Sequence, residues 1–306
     1  MKREKRTPKY LGSVRFYRHL IVGAVLGSLF LSTGLAVFFG VENHQLKGAA
    51  TVSVEREDAL APVEMVLPDG VAAEESEIAY QNAHSTLYAG ERDFSFAPDR
   101  EKTVYLTFDD GPTQRTGEIL DILDQYGVKA TFFVIYRDDE ASKELYREIV
   151  ARGDTIGVHS ASHDYGKIYQ SVDSYLADFE QIYQQIYEVT GVRPDLFRFP
   201  GGSVNAYNMD LYQEIIAEML RRGFVYYDWN VGSGDTMRGA TATAIADRVV
   251  AGMPAKRGIV LLHDSANKDQ TVQALPQIIK RLQAQGYSFA PLDRMVRPCT
   301  FGYQSE

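Results

Sequence analysis

The 306-residue sequence has one cysteine, Cys299, so no intrachain disulfide can hold its fold. A fold without disulfides must rest on a large apolar core, which 45% hydrophobic residues can supply. Cys299 lies near the chain end and reads as an incidental thiol or an intermolecular link. Histidine is scarce, at six, and Trp229 is the single tryptophan. No Gly-x-Gly-x-x-Gly fingerprint and no Gly-x-x-x-x-Gly-Lys-Ser/Thr loop is present, which sets aside dinucleotide and P-loop readings. Positive charge is also scarce beyond residue 40. With seven of the 32 basic and one of the 41 acidic residues set aside, 25 basic and 40 acidic side chains remain, net −15. Such a surface lacks what a phosphate backbone requires, so no nucleic-acid partner is expected.

The seven basic residues are Lys2, Arg3, Lys5, Arg6, Lys9, Arg15 and Arg18, opposed only by Glu4. Residues 20–41 follow without a charge, long enough to cross a hydrocarbon core as a helix. The basic flank would keep the N-terminus cytoplasmic and put the rest outside. The expectation is a single-pass protein of the cell membrane with an extracellular catalytic part; a cleaved secretory signal is the alternative. The chain then divides into a basic tail (1–19), a transmembrane helix (20–41), an acidic stem or small accessory region (42–100), an α/β domain (101–295) and a tail (296–306). Pro62, Pro68 and Pro98 interrupt the stem, with one helix expected over 72–88.

From residue 103 short β-like runs alternate with helical stretches. The runs cover 104–108, 130–135, 155–158, 196–199, 224–229, 259–262 and 287–290. Helices are expected near 115–126, 142–152, 172–189, 210–222, 241–251 and 271–285. Gly127, Gly153, Gly191, Gly223 and Gly286 each follow a helical stretch, as C-terminal caps do. Repeated strand–helix units imply a parallel sheet, and seven in about 190 residues fit a closed or nearly closed barrel. The fold class is α/β. In such a barrel, chemistry belongs at the carboxyl ends of the strands, where the polar residues collect.

Asp109 and Asp110 end the first run and precede Gly111-Pro112. Alone they fit a site or an acidic turn equally well. Neighbouring strand residues point oppositely, so the strand end must bend for both carboxylates to reach one pocket. His159 and His163 share a face if helical, and a loop could also converge them. Two imidazoles and a carboxylate make a divalent-metal set; Asp110 is the candidate third ligand, leaving Asp109 free as a general base. Arg198, at the end of the fourth run, suits a bidentate pair with Asp109, or is a surface residue before a Pro-Gly turn. The glycines after it let a backbone N–H approach an oxyanion. Trp229 is core or the floor of a sugar pocket. Asp235 orients His263 and raises its pKa, or closes an Asx turn. His263 directly follows an apolar strand, a poor place for an idle surface histidine. Leu262 before it is expected to pack toward the pocket. Asp264 supports the site or starts a helix.

Five ordered segments together resemble one family: Thr107-Phe-Asp-Asp-Gly-Pro112, His159-Ser-Ala-Ser-His163, Arg198-Phe-Pro-Gly-Gly202, Trp229 through Asp235, and Leu261-Leu-His263. The stretch from Thr103 to Pro291 is similar to the polysaccharide deacetylases of the nodulation-protein-B homology group, carbohydrate esterase family 4. The resemblance implies a distorted (β/α)7 barrel that hydrolyses N- or O-acetyl groups of polysaccharides. It implies Asp109 as base, Asp110, His159 and His163 as metal ligands, and Arg198 orienting Asp109. It further implies Gly201 N–H in the oxyanion hole, His263 as acid supported by Asp235, and Leu261 and Trp229 lining the acetyl and sugar pocket. Gly201 departs from the bulky residue the family often has there. The implied cofactor is a divalent metal, zinc first, with cobalt, nickel or iron as alternatives. Placed outside a membrane, such an enzyme meets cell-wall glycan, and peptidoglycan N-acetylglucosamine is the leading substrate. N-acetylmuramic acid, chitin oligomers, acetylated xylan, exopolysaccharide and a catalytically silent wall-binding role are the alternatives. A small-molecule amidase would instead show a narrow closed pocket.

Overall fold

In the computed structural model the described residues are 78–91, 95–99 and 102–301. The chain divides into two units, Met1–Val71 and Ala72–Glu306, and all described residues lie in the second. The central strand is β1 (Thr103–Asp109), buried along its whole length. It pairs in parallel with β7 (Arg257–His263) at every position from Thr103 to Asp109. β2 (Thr131–Ile135) joins it at Thr107 to Asp109, and β8 (Ser288–Phe289) at Thr103 and Val104. The sheet continues through β3 (Thr155–Ser160), β4 (Leu196–Phe197) and β5 (Val225–Tyr226) on one side, and β6 (Val231–Gly232) on the other. Every pairing is parallel. The path ends at β5 and β6 without pairing between them among the described residues, so the expected barrel is a distorted one that does not close.

Period-two alternation sorts the side chains. On β1, Val104, Leu106 and Phe108 enter the core packed against the helices, with Phe132 and Val134 of β2 and Val260 and Leu262 of β7. The other face carries Tyr105, Phe133 and Ile259 into a smaller apolar cluster with Leu196, Val225, Tyr227 and Leu292. Continuing along that face, β1 ends in Asp109 and β7 in His263, which are register partners. One face thus runs from an apolar plug to a polar end.

Helices α1 (Ala79–Asn82), α2 (Gln114–Tyr126), α3 (Glu140–Ala151), α4 (Tyr165–Ile168), α5 (Val172–Thr190), α6 (Tyr212–Arg221), α7 (Ala242–Gly252) and α8 (Asp269–Ala284) complete the unit. α5 shows why the sequence folds this way. Ser171 caps its start by accepting from Ser174 N, and Gly191 ends it in the left-handed region at φ 74°. Val172, Tyr175, Leu176, Phe179, Ile182, Tyr183 and Ile186 form one buried stripe between these ends. Each large apolar side chain so buried contributes roughly 1.5–3 kcal/mol. Of the helix expected over 72–88, only α1 is found, residues 72–77 lying outside the described ones. Its segment is tied to the domain by buried Arg222, which donates to the carbonyls of Tyr80, Ala83, His84 and Leu87.

The expected membrane-spanning helix over 20–41 lies outside the described residues. Among the described residues no helix is long and apolar enough to cross a membrane. The longest, α5, is amphipathic and carries Asp173, Asp178, Glu180 and Glu188. The fold of the described residues is therefore corrected to the distorted parallel barrel, with no membrane-spanning helix among them. The membrane partner and the single-pass membrane location are withdrawn with the helix.

Candidate active site

Asp109 closes β1 on the plug's face, and Asp110 follows in the left-handed region at φ 77°. That reversal brings adjacent carboxylates to one cavity, and it falls on Asp110 itself. His159 lies on β3, but the second histidine is not on a helix with it. His163 sits in the loop after β3, also left-handed at φ 51°. Asp178 of α5 accepts from Ser160 Oγ and from the amides of Ala161 and Ser162 at 2.6–2.8 Å. Ser160 Oγ in turn accepts from His163 N at 2.8 Å. Two non-glycine residues at positive φ within one site are costly and persist only where their surroundings fix them, as Asp178 does for the loop of His163.

Asp110 Oδ1 lies 3.2 Å from His163 Nε2 and 3.6 Å from His159 Nε2. It is buried and has no hydrogen-bond partner. His159 Nδ1 donates to the Arg198 carbonyl at 2.8 Å, which leaves Nε2 as the ring's lone pair. Burial pushes the His159 pKa down, favouring the neutral, ligating form. An orphaned carboxylate oxygen beside two imidazoles fits a divalent cation, and the three ligand atoms lie within 4.8 Å of one another. Asp110, His159 and His163 thus form a divalent-metal triad of a kind that suits zinc, cobalt or nickel.

Arg198 is fully buried, with no surface role. Its Nη1 donates to Asp109 Oδ1 at 2.9 Å and to Thr107 Oγ1 at 2.6 Å. Nε and Nη2 serve the carbonyls of Tyr227 and Asp228. The expected bidentate pair is therefore a single contact, because the rest of the guanidinium holds strand-end backbone. Across the cavity, His263 Nδ1 donates to Asp235 Oδ1 at 2.9 Å and His263 N to Oδ2 at 2.8 Å. Thr271 Oγ1 also donates to Oδ2, and Lys268 Nζ to the Asp235 carbonyl. Burial works to lower the His263 pKa, but the bond to Asp235 and its charge outweigh this and hold it above the ordinary value. Asp235 is held below the usual carboxylate range: its burial is outweighed by the same pair.

Asp109, Asp110, His159, His163 and His263 line one half-open cavity of about 310 Å³, with Gly201, Trp229, Leu261 and Tyr165 in its walls. Leu261, in register with Thr107, faces it; Leu262 lies in the helix-packed core, so the expectation for Leu262 is corrected by strand alternation. Asp264 starts no helix. It is fully buried against Gly111, where a Cβ would fall 2.1 Å from Oδ2, and it accepts from Thr116 Oγ1. Phe301, assigned to the tail, packs edge-on against Trp229 and donates its amide to Asp228. Cys299 contributes its carbonyl to Asp228 N, and burial pushes its thiol pKa up. Tyr165, Asp178, Thr271 and Phe301 escaped the sequence reading, and Thr107 entered it only as part of a motif, with no role. Of these only Asp178, a carboxylate bordering an apolar helical stripe, carried a local signal.

The fold and this metal triad define a metal-dependent hydrolase with an open cleft at the strand ends. The polysaccharide deacetylase family model matches residues 97–220. The chain is 32% identical to a putative polysaccharide deacetylase, YheN, of Bacillus subtilis over 65% of this chain and 70% of the relative. It is 33% identical to a peptidoglycan-N-acetylglucosamine deacetylase of Bacillus cereus, over 65% of this chain and 91% of the relative. Among solved structures it resembles the catalytic domain of a peptidoglycan N-acetylglucosamine deacetylase from Eubacterium rectale. That match has a TM-score of 0.64 and 35% identity, and it covers 69% of this chain and 97% of the other. The chain belongs to the polysaccharide deacetylase family, the nodulation-protein-B homology group of carbohydrate esterase family 4, and is a metal-dependent polysaccharide deacetylase.

Proposed function

We propose that the enzyme removes N-acetyl groups from cell-wall glycan, with N-acetylglucosamine of peptidoglycan as its substrate. The observation that carries this reading is that Asp109 and His263, the latter bonded to Asp235 behind it, line one open cavity with the metal triad. The peptidoglycan deacetylases among its relatives support the substrate class. A cavity half open to solvent suits a polymer better than a small amide.

A divalent ion held by Asp110, His159 and His163 would polarise the acetyl carbonyl and acidify the attacking water. Asp109, oriented by Arg198, takes the proton of that water. The Gly201 N–H, in the cavity wall, receives the developing oxyanion. His263, its pKa raised by Asp235, gives its proton to the leaving glucosamine nitrogen, which is a poor leaving group until protonated. Trp229 and Leu261 bound the sugar and the acetyl methyl.

Replacing His159 and His163 together should remove bound metal and acetate release at once. His263→Ala should keep full metal content and lose turnover. Equal metal loss in a folded His263→Ala protein would contradict the assignment.

A further inference from the structure

Tyr207 is the most exposed large hydrophobic residue described, at 63%. Single exposed aromatics are common, and exposure alone assigns nothing. This ring differs in what holds it. It stacks on Tyr165 with centroids 5.1 Å apart and planes at 20°. Tyr165 lines the cavity, and its ring meets that of His163 edge-on at 5.4 Å. His163, Tyr165 and Tyr207 therefore form a row that leads outward from the metal triad and ends in an exposed face. Behind Tyr165 the stack continues through Tyr169 and Tyr175 to buried Phe199.

The loop that carries Tyr207 is fixed. Asn205 Oδ1 accepts from Tyr207 N at 2.9 Å, and Asn205 Nδ2 donates to the carbonyls of Pro200 and Gly202. Buried Asn208 accepts from Asn205 N and donates to the Ser203 carbonyl. Gly201 makes room for the row. A Cβ there would fall 3.0 Å from Tyr165 Cε1, so the ring stands where a side chain of residue 201 would begin. An exposed aromatic ring on a pre-organised loop at the rim of a cavity loses little freedom on binding, and its phenol offers a donor and acceptor beside an apolar face.

We infer that Tyr207, backed by Tyr165, is a stacking subsite for a pyranose ring of the glycan chain, outside the sugar whose acetyl group enters the cavity. A pyranose presents an apolar face of C–H groups with hydroxyls at its edge, which matches this surface. The inference rests on the glycan reading above, and Tyr207 would make the enzyme favour longer chains.

The test compares full-length, zinc-loaded wild type, Tyr207→Ala and Tyr207→Trp against the dimer and tetramer of N-acetylglucosamine. Calorimetry gives affinity and acetate release gives kcat/KM. Tyr207→Ala is expected to weaken tetramer binding roughly three- to tenfold, to lower the tetramer-to-dimer ratio of kcat/KM by a similar factor, and Tyr207→Trp to restore both. Unchanged tetramer affinity in Tyr207→Ala, equal losses on dimer and tetramer, or no tetramer binding by wild type would overturn the subsite. Tetramer binding that Tyr207→Ala weakens, with no acetate released by wild type, would support the subsite while overturning the N-acetylglucosamine substrate proposed above.

Discussion

Arg198 Nη1 donates to Asp109 Oδ1 at 2.9 Å; the Arg198 side chain is fully buried and that of Asp109 nearly so, at 4% exposure. A buried carboxylate stripped of its partner is left uncompensated, at a cost of roughly 3–5 kcal/mol. Arg198→Lys keeps the charge but loses the planar fork that also holds Tyr227 and Asp228. We expect the variant to bind metal at wild-type stoichiometry and to lose roughly 100-fold in kcat. Metal analysis with single-substrate kinetics checks this.

The Asp235–His263 pair is expected to set the alkaline limb of activity. As the proposed acid, His263 would act while protonated, and its pKa is raised, so activity is expected to persist above the ordinary histidine range and to fall as pH rises through the raised value. Asp235→Asn removes the charge that outweighs burial. Its pH–kcat profile should keep the acidic limb and shift the alkaline limb to lower pH, so that the loss at pH 8 exceeds the loss at pH 6. A parallel drop at all pH values would assign Asp235 a structural part only.

Gly201 lies at φ 77°, where a β-carbon is strained, and faces Tyr165 at 3.0 Å. Gly201→Ala should cost about 1–3 kcal/mol of stability and displace the Tyr165 ring. Thermal unfolding and metal content measure the two consequences separately: a lower Tm with metal stoichiometry retained.

Asp264 is buried, and burial pushes its pKa up to about 7, aided by the charges of Asp110 and Asp109 against the bond from Thr116. In the unfolded chain the same carboxyl titrates near 3.8. Between those values the folded state binds the extra proton, so this group's contribution to stability falls as pH rises from about 4 to about 7. Tm of chelator-treated protein, measured from pH 5 to pH 8, should decline less steeply in Asp264→Asn than in wild type. Parallel slopes would refute the assignment.

Most of the site was legible because its residues obey strand logic. Asp109 and His263 end apolar runs, and the runs became paired strands whose alternation places both on one face. The helix expected over 172–189 became Val172–Thr190, since cap and stripe agree there. Legibility failed where tertiary partners override local pattern. The expected run 224–229 yields only Val225–Tyr226, because Asp228 turns its amide to Cys299 and its carboxylate to Ser203 and Phe301. The positive φ of Asp110 and His163 had no local mark, as neither is glycine. Arg198 was legible as a partner for Asp109, but nothing nearby in sequence announces the Tyr227 and Asp228 carbonyls it also serves.

Acetate release from N-acetylglucosamine tetramer by full-length protein, before chelation, after chelation and after zinc is restored, bears most directly on the central claim. The account predicts release that stops on chelation and returns with zinc. Zinc-loaded, folded protein that releases no acetate, or release indifferent to the chelator, would contradict it.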